Sequence, residues 1–442
     1  MSVILLVGSS AREHAIARAI RKSPQTSSIC CFASANNPGI QSIATSYEVG
    51  NINDPNEVVR FGMQCGAKLA VIGPEAPLEN GVSDALWNSG IPCVGPKKAL
   101  ARIETSKGFT RRLLETSSIT VNPAFKAFEN IDGAEEYLQQ LGDSYVVKYD
   151  GLMGGKGVKV AGEHLHSHNE ALEYCSQLVK SGGGFLIEEK LLGVEFSLMS
   201  FCDGKTIVHA PPVQDHKRAF VGDTGPNTGG MGSYSGPNLS LPFLSESDIR
   251  EAQEINSRTI EALSRECGQP YLGILYGGFI ATANDIRLIE YNARFGDPEA
   301  LNILTLLESD FLVLCEAIIS GTLGNIDLTF STAATVCKYA VPNGYPDSPV
   351  QGKKIDISNV RDLDLISYGA VNQLDDEIFI TGSRSLAVTA AAASLAEAEF
   401  IVEEELSRIG GPLFHREDIG TPALIESYVI KLNNLRCKNV SQ

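Results

Sequence analysis

The ten cysteines of this 442-residue chain, spread from Cys30 to Cys437, include no C-x-x-C pair. That pattern reads as reduced, mostly buried thiols in a cytoplasmic setting. Basic residues are scarce: 36 Lys and Arg against 53 Asp and Glu leave a net charge of −17. A nucleic-acid partner needs a basic footprint, so this balance argues against one. It suits a protein that meets small charged metabolites in a pocket where lysines are concentrated. No apolar run approaches the length of a membrane span, and Val3-Ile-Leu-Leu-Val7 is too short for a signal-peptide core. Internal repeats and low-complexity tracts are absent. So is a G-x-G-x-x-G after the first apolar run, and Ser34-Ala-Asn-Asn37 stands where a ribose-binding acid would end a second strand. A dinucleotide role is therefore weakly supported.

What is present reads first as strands alternating with helices. Apolar runs at 2–7, 29–33, 68–72 and 91–95 are expected as parallel strands, with helices opening at Arg12 and lying around 55–65 and 79–89. This alternation predicts a doubly wound parallel sheet whose ligand side is the carboxyl edge of its strands. Gly8-Ser-Ser-Ala11 on that edge could offer backbone N–H groups, with Arg12, to a phosphate. A plain strand-to-helix turn explains the segment equally well.

A hairpin with a glycine-rich tip follows. Ser144-Tyr-Val-Val-Lys-Tyr149 leads into Asp150-Gly-Leu-Met-Gly-Gly-Lys-Gly157, and the chain returns through Val158-Lys-Val-Ala161. Glycines let a backbone approach phosphate oxygens without interference from Cβ, and Lys148 and Lys156 add charge. Gly184-Phe-Leu-Ile-Glu-Glu-Lys-Leu-Leu192 predicts a strand ending in two acids, and a second strand carries Glu195 near its start. Residues 222–234, with five glycines, are expected as a long functional loop after Gln214-Asp-His-Lys-Arg218. Near 290 the chain reads Leu288-Ile-Glu-Tyr-Asn-Ala-Arg-Phe-Gly-Asp-Pro-Glu299. Residues two apart on a strand share a face, so Glu290 and Asn292 offer a carboxylate and an amide oxygen together. Hard oxygen donors of this kind suit Mg²⁺. Beyond Gly324 the texture becomes that of a small mixed α/β domain, with strands at 333–341 and 378–380 and a helix near 394–409.

These parts, in this order, resemble an ATP-grasp ligase, in which two α+β lobes clamp ATP. The stretches Arg12-Glu-His-Ala, Gly73-Pro-Glu-Ala-Pro-Leu, Gln214-Asp-His-Lys-Arg, Asp223-Thr-Gly-Pro-Asn-Thr-Gly-Gly-Met-Gly, Arg294-Phe-Gly-Asp-Pro-Glu and Arg416-Glu-Asp-Ile-Gly420 resemble the phosphoribosylamine–glycine ligase family and span nearly the whole chain. The resemblance implies three units: a Rossmann-like substrate domain at 1–104, an ATP-grasp domain at 105–325 with a mobile lobe at about 122–190, and a mixed α/β domain at 326–442. It implies a carbon–nitrogen ligase of purine biosynthesis acting on glycine, 5-phosphoribosylamine and ATP with Mg²⁺ or Mn²⁺. The enzyme is expected in the cytoplasm, compatible with a monomer, and without nucleic-acid or membrane partners.

The site residues follow by position in the resemblance. Lys107, Lys148 and the flap residues Gly155, Lys156 and Gly157 would meet phosphates. Glu188, Glu189, Lys190 and Leu191 would meet adenine, and Glu195 the ribose. Arg218 and Asn227 would lie beside the transferring phosphate, and Glu290 and Asn292 would hold the metal. Arg294 and Asp297 would take the carboxylate and ammonium of glycine, so Arg218, Arg294 and Asp297 form the catalytic set. Gly8, Arg12, Glu13, Pro74, Glu75, Asp215, His216 and Lys217 complete the substrate-binding residues. No general base is assigned, since the attacking carboxylate is already ionised. Departures from the family pattern are the glycine-poor first loop, Met153-Gly154 in the flap, Gly277-Gly278-Phe279 without an additional acid, and Gly382-Ser-Arg for Gly-Gly-Arg. They leave room for a paralogue using another acid or amine; a nucleotide-binding protein without catalysis is a further alternative. His164-x-His166-x-His168 is expected as a solvated turn rather than a metal cluster. His14 is expected to cap or brace the first helix, and Asp418 either reaches the ATP site or caps a turn.

Overall fold

A computed structural model describes residues 2–154 and 157–440. Its N-terminal unit is a five-stranded parallel sheet in the order Ser46–Val49, Thr26–Ala33, Ser2–Val7, Leu69–Ile72, Cys93–Val94. The apolar first strand is explained by burial on both faces. Leu5 and Val7 join one hydrophobic cluster, while Ile4 and Leu6 join another on the opposite side. The sequence reading missed Ser46–Val49 and the six-residue helix Pro38–Ile43. That strand is a half-exposed edge, so it lacks the continuous apolar run that marks its neighbours.

The flap lobe is an antiparallel sheet ordered Phe125–Phe128, Phe185–Glu189, Tyr145–Tyr149, Val158–Val160. It packs on the helices Ala134–Leu141 and His168–Lys180 around a separate small core that includes Phe128, Leu138 and Phe185. The base lobe is a second antiparallel sheet ordered Ile207–His209, Val194–Asp203, Leu272–Ala281, Ile286–Asn292. Gly155 and Lys156, at the tip of the expected flap, lie outside the described residues.

The glycine-rich segment after Arg218 corrects the sequence reading. Gln214–Phe220 and Thr224–Ser235 form a β-hairpin, and the second strand pairs with Ala334–Pro342 of the C-terminal region. The glycines serve sheet packing. A Cβ on Gly232 would stand 2.4 Å from the Cys337 carbonyl oxygen, so only glycine permits this pairing distance. Beyond Ala334–Pro342 the sheet continues through Leu386–Ala392 to Ile366–Tyr368, covered by the helix Leu395–Leu406. A terminal helix, Pro422–Val440, was not expected from sequence. It is anchored by the buried Leu432 and by Arg436, which donates to both oxygens of Asp248 at 3.0 and 2.7 Å. His14 braces the N-terminal unit, accepting at Nδ1 from the Tyr368 N–H at 3.1 Å.

Gly232→Ala should therefore lower stability by about 1–3 kcal/mol, as overpacking against backbone does. A residue in a free loop would leave the thermal midpoint nearly unchanged, so thermal denaturation decides between strand and loop.

Candidate active site

The edge strand Ile286–Asn292 carries a β-bulge. Leu288 lies opposite Phe279 and Glu290 opposite Gly278, leaving Ile289 as the extra residue. The bulge resets the alternation: Leu288 and Tyr291 are buried, while Glu290 and Asn292 are half-buried on the cleft side. Lys217 Nζ sits 3.7 Å from Glu290 Oε1, 3.7 Å from Asp215 Oδ2 and 4.0 Å from Glu195 Oε2. Burial works against the Glu290 carboxylate, yet Lys217, Lys107, Lys148 and Arg294 hold its pKa below the ordinary range. Burial likewise opposes the Lys217 charge, but Asp215, Glu290 and Glu195 raise its pKa. The Asn292 amide has no hydrogen-bonding protein partner among the described residues. An ionised carboxylate beside an unengaged amide oxygen fits a hard divalent cation that retains waters and phosphate ligands.

The flap is tied to this edge through one buried carboxylate. Glu188 receives Arg111 at 2.7 and 3.0 Å and lies 2.7 Å from Lys148 Nζ. Arg111 and Lys148 also donate to the bulged Ile289 carbonyl at 2.7 and 3.2 Å. Burial alone would raise the Glu188 pKa; the two cations hold it down at about 2. Burial lowers the Lys148 pKa, with Glu188 opposing. Lys107, in the first turn of the helix Lys107–Thr116 after the N-cap Ser106, donates to the Gly151 carbonyl at 3.0 Å. Lys190 pairs with Glu163 at 3.0 Å, Arg218 also pairs with Glu163, and the Glu189 carboxylate accepts from Ala124 N–H at 3.2 Å.

Toward the N-terminal unit, Arg294 pairs with Glu75 at 3.2 Å and Glu104 at 2.9 Å. Burial would raise the Glu75 pKa, but Arg294 and Arg12 bring it to about 2. Arg12 pairs with Glu13 at 2.6 Å and donates to the Phe295 carbonyl at 3.2 Å. Glu13 also accepts from the Ser10 N–H at 2.6 Å, taking one of the donors expected for a phosphate at this helix N-terminus. Asp297 accepts from Tyr339 and lies 3.2 Å from Arg384. Glu299 accepts from Tyr276 at 2.8 Å, and burial with the nearby Asp215 charge pushes its pKa up to about 7. His216 faces Asp223 and Tyr428 through Nδ1 at 3.5 and 3.4 Å, while its buried Nε2 has no partner among the described residues.

These groups line one cleft of about 930 Å³ between the lobes. It gathers Arg12, Pro74, Glu75, Lys107, Lys148, Glu188, Glu189, Lys190, Leu191, Glu195, Asp215, His216, Lys217, Arg218, Asn227, Glu290, Asn292, Arg294 and Asp297. Gly8, Glu13 and Gly157 are not among its lining residues. Sequence reasoning assigned no role to Glu104, Arg111, Glu299, Arg384, Tyr428 or Lys431, all of which line it. Glu299 closes the quoted Arg294-Phe-Gly-Asp-Pro-Glu stretch and could have been included. Tyr428 and Lys431 belong to the unexpected terminal helix and carried no local signal. The three histidines form no cluster able to hold a metal among the described residues; His164 instead meets Val160 N–H and Arg218. Asp418 pairs with Arg416 at 2.7 Å and accepts from Gly222 N–H at 2.9 Å, a brace rather than a free ligand.

Two antiparallel lobes enclosing a cleft, one bearing a lysine hairpin and the other a carboxylate–amide strand edge, define the ATP-grasp class. Descriptions of phosphoribosylglycinamide synthetase match this chain along its length: the N domain at 2–104, the ATP-grasp (A) domain at 105–300 and the C domain at 335–422. A phosphoribosylamine–glycine ligase of Methanosarcina barkeri is 44% identical over 433 residues, covering 98% of this chain and 99% of that protein. Its counterpart in Methanocaldococcus jannaschii is 46% identical over 443 residues, covering 98% and 99%. The crystal structure of the Thermotoga maritima phosphoribosylamine–glycine ligase superposes with a TM-score of 0.80 at 28% identity, covering 94% of this chain and all of that one. A Campylobacter jejuni biotin carboxylase shares the fold at a TM-score of 0.72 and 13% identity, covering 98% of each chain. The chain belongs to the phosphoribosylamine–glycine ligase family.

Glu188→Gln should cost about 3–5 kcal/mol, because Arg111 and Lys148 would be left buried without a counter-charge. The folded-state pKa of Glu188 is depressed, so its contribution is present above the unfolded value of about 4.3 and is lost as pH falls through about 2. Denaturant titrations at neutral and acid pH should show the wild type losing its advantage over the variant on acidification.

Proposed function

We propose that this cleft joins glycine to 5-phosphoribosylamine at the expense of ATP, the reaction for which the family is named. The glycine carboxylate attacks the γ-phosphate, giving glycyl phosphate and ADP. The amine then attacks the acyl carbon, phosphate departs, and the proton released by the amine is taken up by phosphate. A carboxylate is a poor electrophile until one oxygen becomes a phosphate leaving group, which accounts for the use of ATP.

The observation that carries this reading is the meeting of Lys107 and Lys148 with the Glu290–Asn292 edge across one cleft. The ATP-grasp unit at 105–325 supplies both walls of the nucleotide site. Lys107 and Lys148 neutralise phosphate oxygens, and Arg218 with Asn227 lies beside the transferring group. Glu189, Lys190 and Leu191 border adenine through backbone groups, and Glu195 accepts from ribose hydroxyls. Glu290 and Asn292 would hold Mg²⁺ or Mn²⁺, which would supply positive charge to offset that of the phosphates. Arg294 receives the glycine carboxylate and Asp297 its ammonium, each by exchanging or sharing a protein partner. The unit at 1–104 presents Arg12, Pro74 and Glu75 to the amine substrate. Closure of the flap keeps water from glycyl phosphate.

Sustained ADP release over many turnovers should require glycine, phosphoribosylamine and a divalent metal together. Glu290→Ala should reduce turnover on the order of a hundredfold or more, as removal of a preorganised electrostatic group does. Retained ligation in that variant, or full turnover with another acid in place of glycine, would sink the assignment.

A further inference from the structure

Arg384 lies in the third domain, just before the strand Leu386–Ala392. Its side chain reaches across to the ATP-grasp unit and lines the cleft. Nη1 donates to the carbonyls of Gly229 at 2.7 Å, Gly230 at 3.2 Å and Asp297 at 2.9 Å. Nη2 lies 3.2 Å from Asp297 Oδ2, and the guanidinium carbon stands 4.6 Å from the centre of the Tyr339 ring. Tyr339, also from the third domain, donates its hydroxyl to Asp297 Oδ1. One planar cation thus joins the glycine hairpin, the turn that carries Asp297, and an aromatic face.

We propose that Arg384 is a positioning residue for the amino-acid substrate: with Tyr339 it fixes the Asp297 carboxylate in the direction from which the ammonium is received. The inference rests on the reading of Asp297 given above. A carboxylate oxygen has about two acceptor positions, so Tyr339 on one oxygen and Arg384 on the other leave capacity on both. Because the neighbouring guanidinium offsets part of its charge, Asp297 acts through its direction more than through its field. The comparison within the same domain is informative. Lys338 pairs with Glu399 and Glu403 and is 0% exposed, as a purely structural link should be. Arg384 and Asp297 remain 17% and 8% exposed at the cleft surface. The geometry also demands arginine: three carbonyls, a carboxylate and a ring face need a planar fork, which the point charge of lysine does not offer.

The test compares Arg384→Ala, Arg384→Lys, Asp297→Asn and the double variant Arg384→Ala/Asp297→Asn, with KM for glycine, amine and ATP measured separately. Arg384→Ala should raise the KM for glycine about tenfold or more, as misplacement of a positioning group does, with the KM for ATP unchanged. Added guanidinium should recover part of the loss, lysine at 384 should not, and the double variant should resemble Asp297→Asn alone. Equal rises in KM for ATP and glycine, no rescue, or additive losses would overturn the proposal. If the alanine variant does not fold, Arg384→Lys and Tyr339→Phe decide by the same split in KM. If Asp297→Asn leaves the KM for glycine unaltered, the underlying assignment of Asp297 fails. If Asp297→Asn raises it and no Arg384 or Tyr339 variant does, only the present inference fails.

Discussion

The cleft depends on a single buried carboxylate. Glu188 comes from the flap sheet, Arg111 from the helix Lys107–Thr116, and Lys148 from the adjacent flap strand. Both cations also bond to the carbonyl of Ile289, the bulged residue beside Glu290. Position of the flap and direction of the proposed metal-binding edge are therefore set by one hydrogen-bonded cluster. Its desolvation is costly, and only complete mutual satisfaction makes it stable. Lys148, proposed above for the phosphate site, is accordingly also part of the joint.

The glycine hairpin and the third domain make a second joint. Thr224–Ser235 belongs to a sheet that continues into the C-terminal strands, so the wall carrying Arg218 and Asn227 is held from outside the ATP-grasp lobes. The Asp223 carboxylate lies 2.6 Å from Arg416 and accepts from Tyr428, which places the terminal helix behind the same wall. Three parts of the chain distant in sequence thus converge on one hairpin. The glycines there permit close backbone approach, and the polar network fixes register.

Features governed by local chemistry were legible in the sequence. The buried strands of the N-terminal unit, the flap hairpin and the shared face of Glu290 and Asn292 follow from apolar runs, glycine placement and period-two alternation. What escaped depends on distant partners. The 222–234 segment read as a loop because its glycines suit turns, but it is the inner strand between Gln214–Phe220 and a partner that begins about a hundred residues later, at Ala334. The helix Pro422–Val440 has no strong apolar stripe and is held by a few buried residues such as Leu432 together with Asp223 and Asp248 from remote segments. Arg294 and Asp297 line the cleft, but their engagement with Glu75, Glu104, Tyr339 and Arg384 could not be read from their own neighbourhood.

Those engagements explain how an acidic chain can accept a triphosphate. Lys217 is surrounded by Asp215, Glu195 and Glu290, Arg294 by Glu75 and Glu104, and Arg218 and Lys190 both meet Glu163. Before substrate arrives, the cleft already contains its own counter-ions. On the function proposed above, binding would proceed as an exchange of partners, in which phosphate and carboxylate groups of the substrates displace or share protein acids. Coulombic gain is reduced by each displaced contact, so tight ground-state binding is not the natural outcome. What the arrangement retains is direction: charged groups are held in place in advance, and on the proposed assignment they stand where charge develops as the phosphoryl group moves, which is the condition for lowering a barrier.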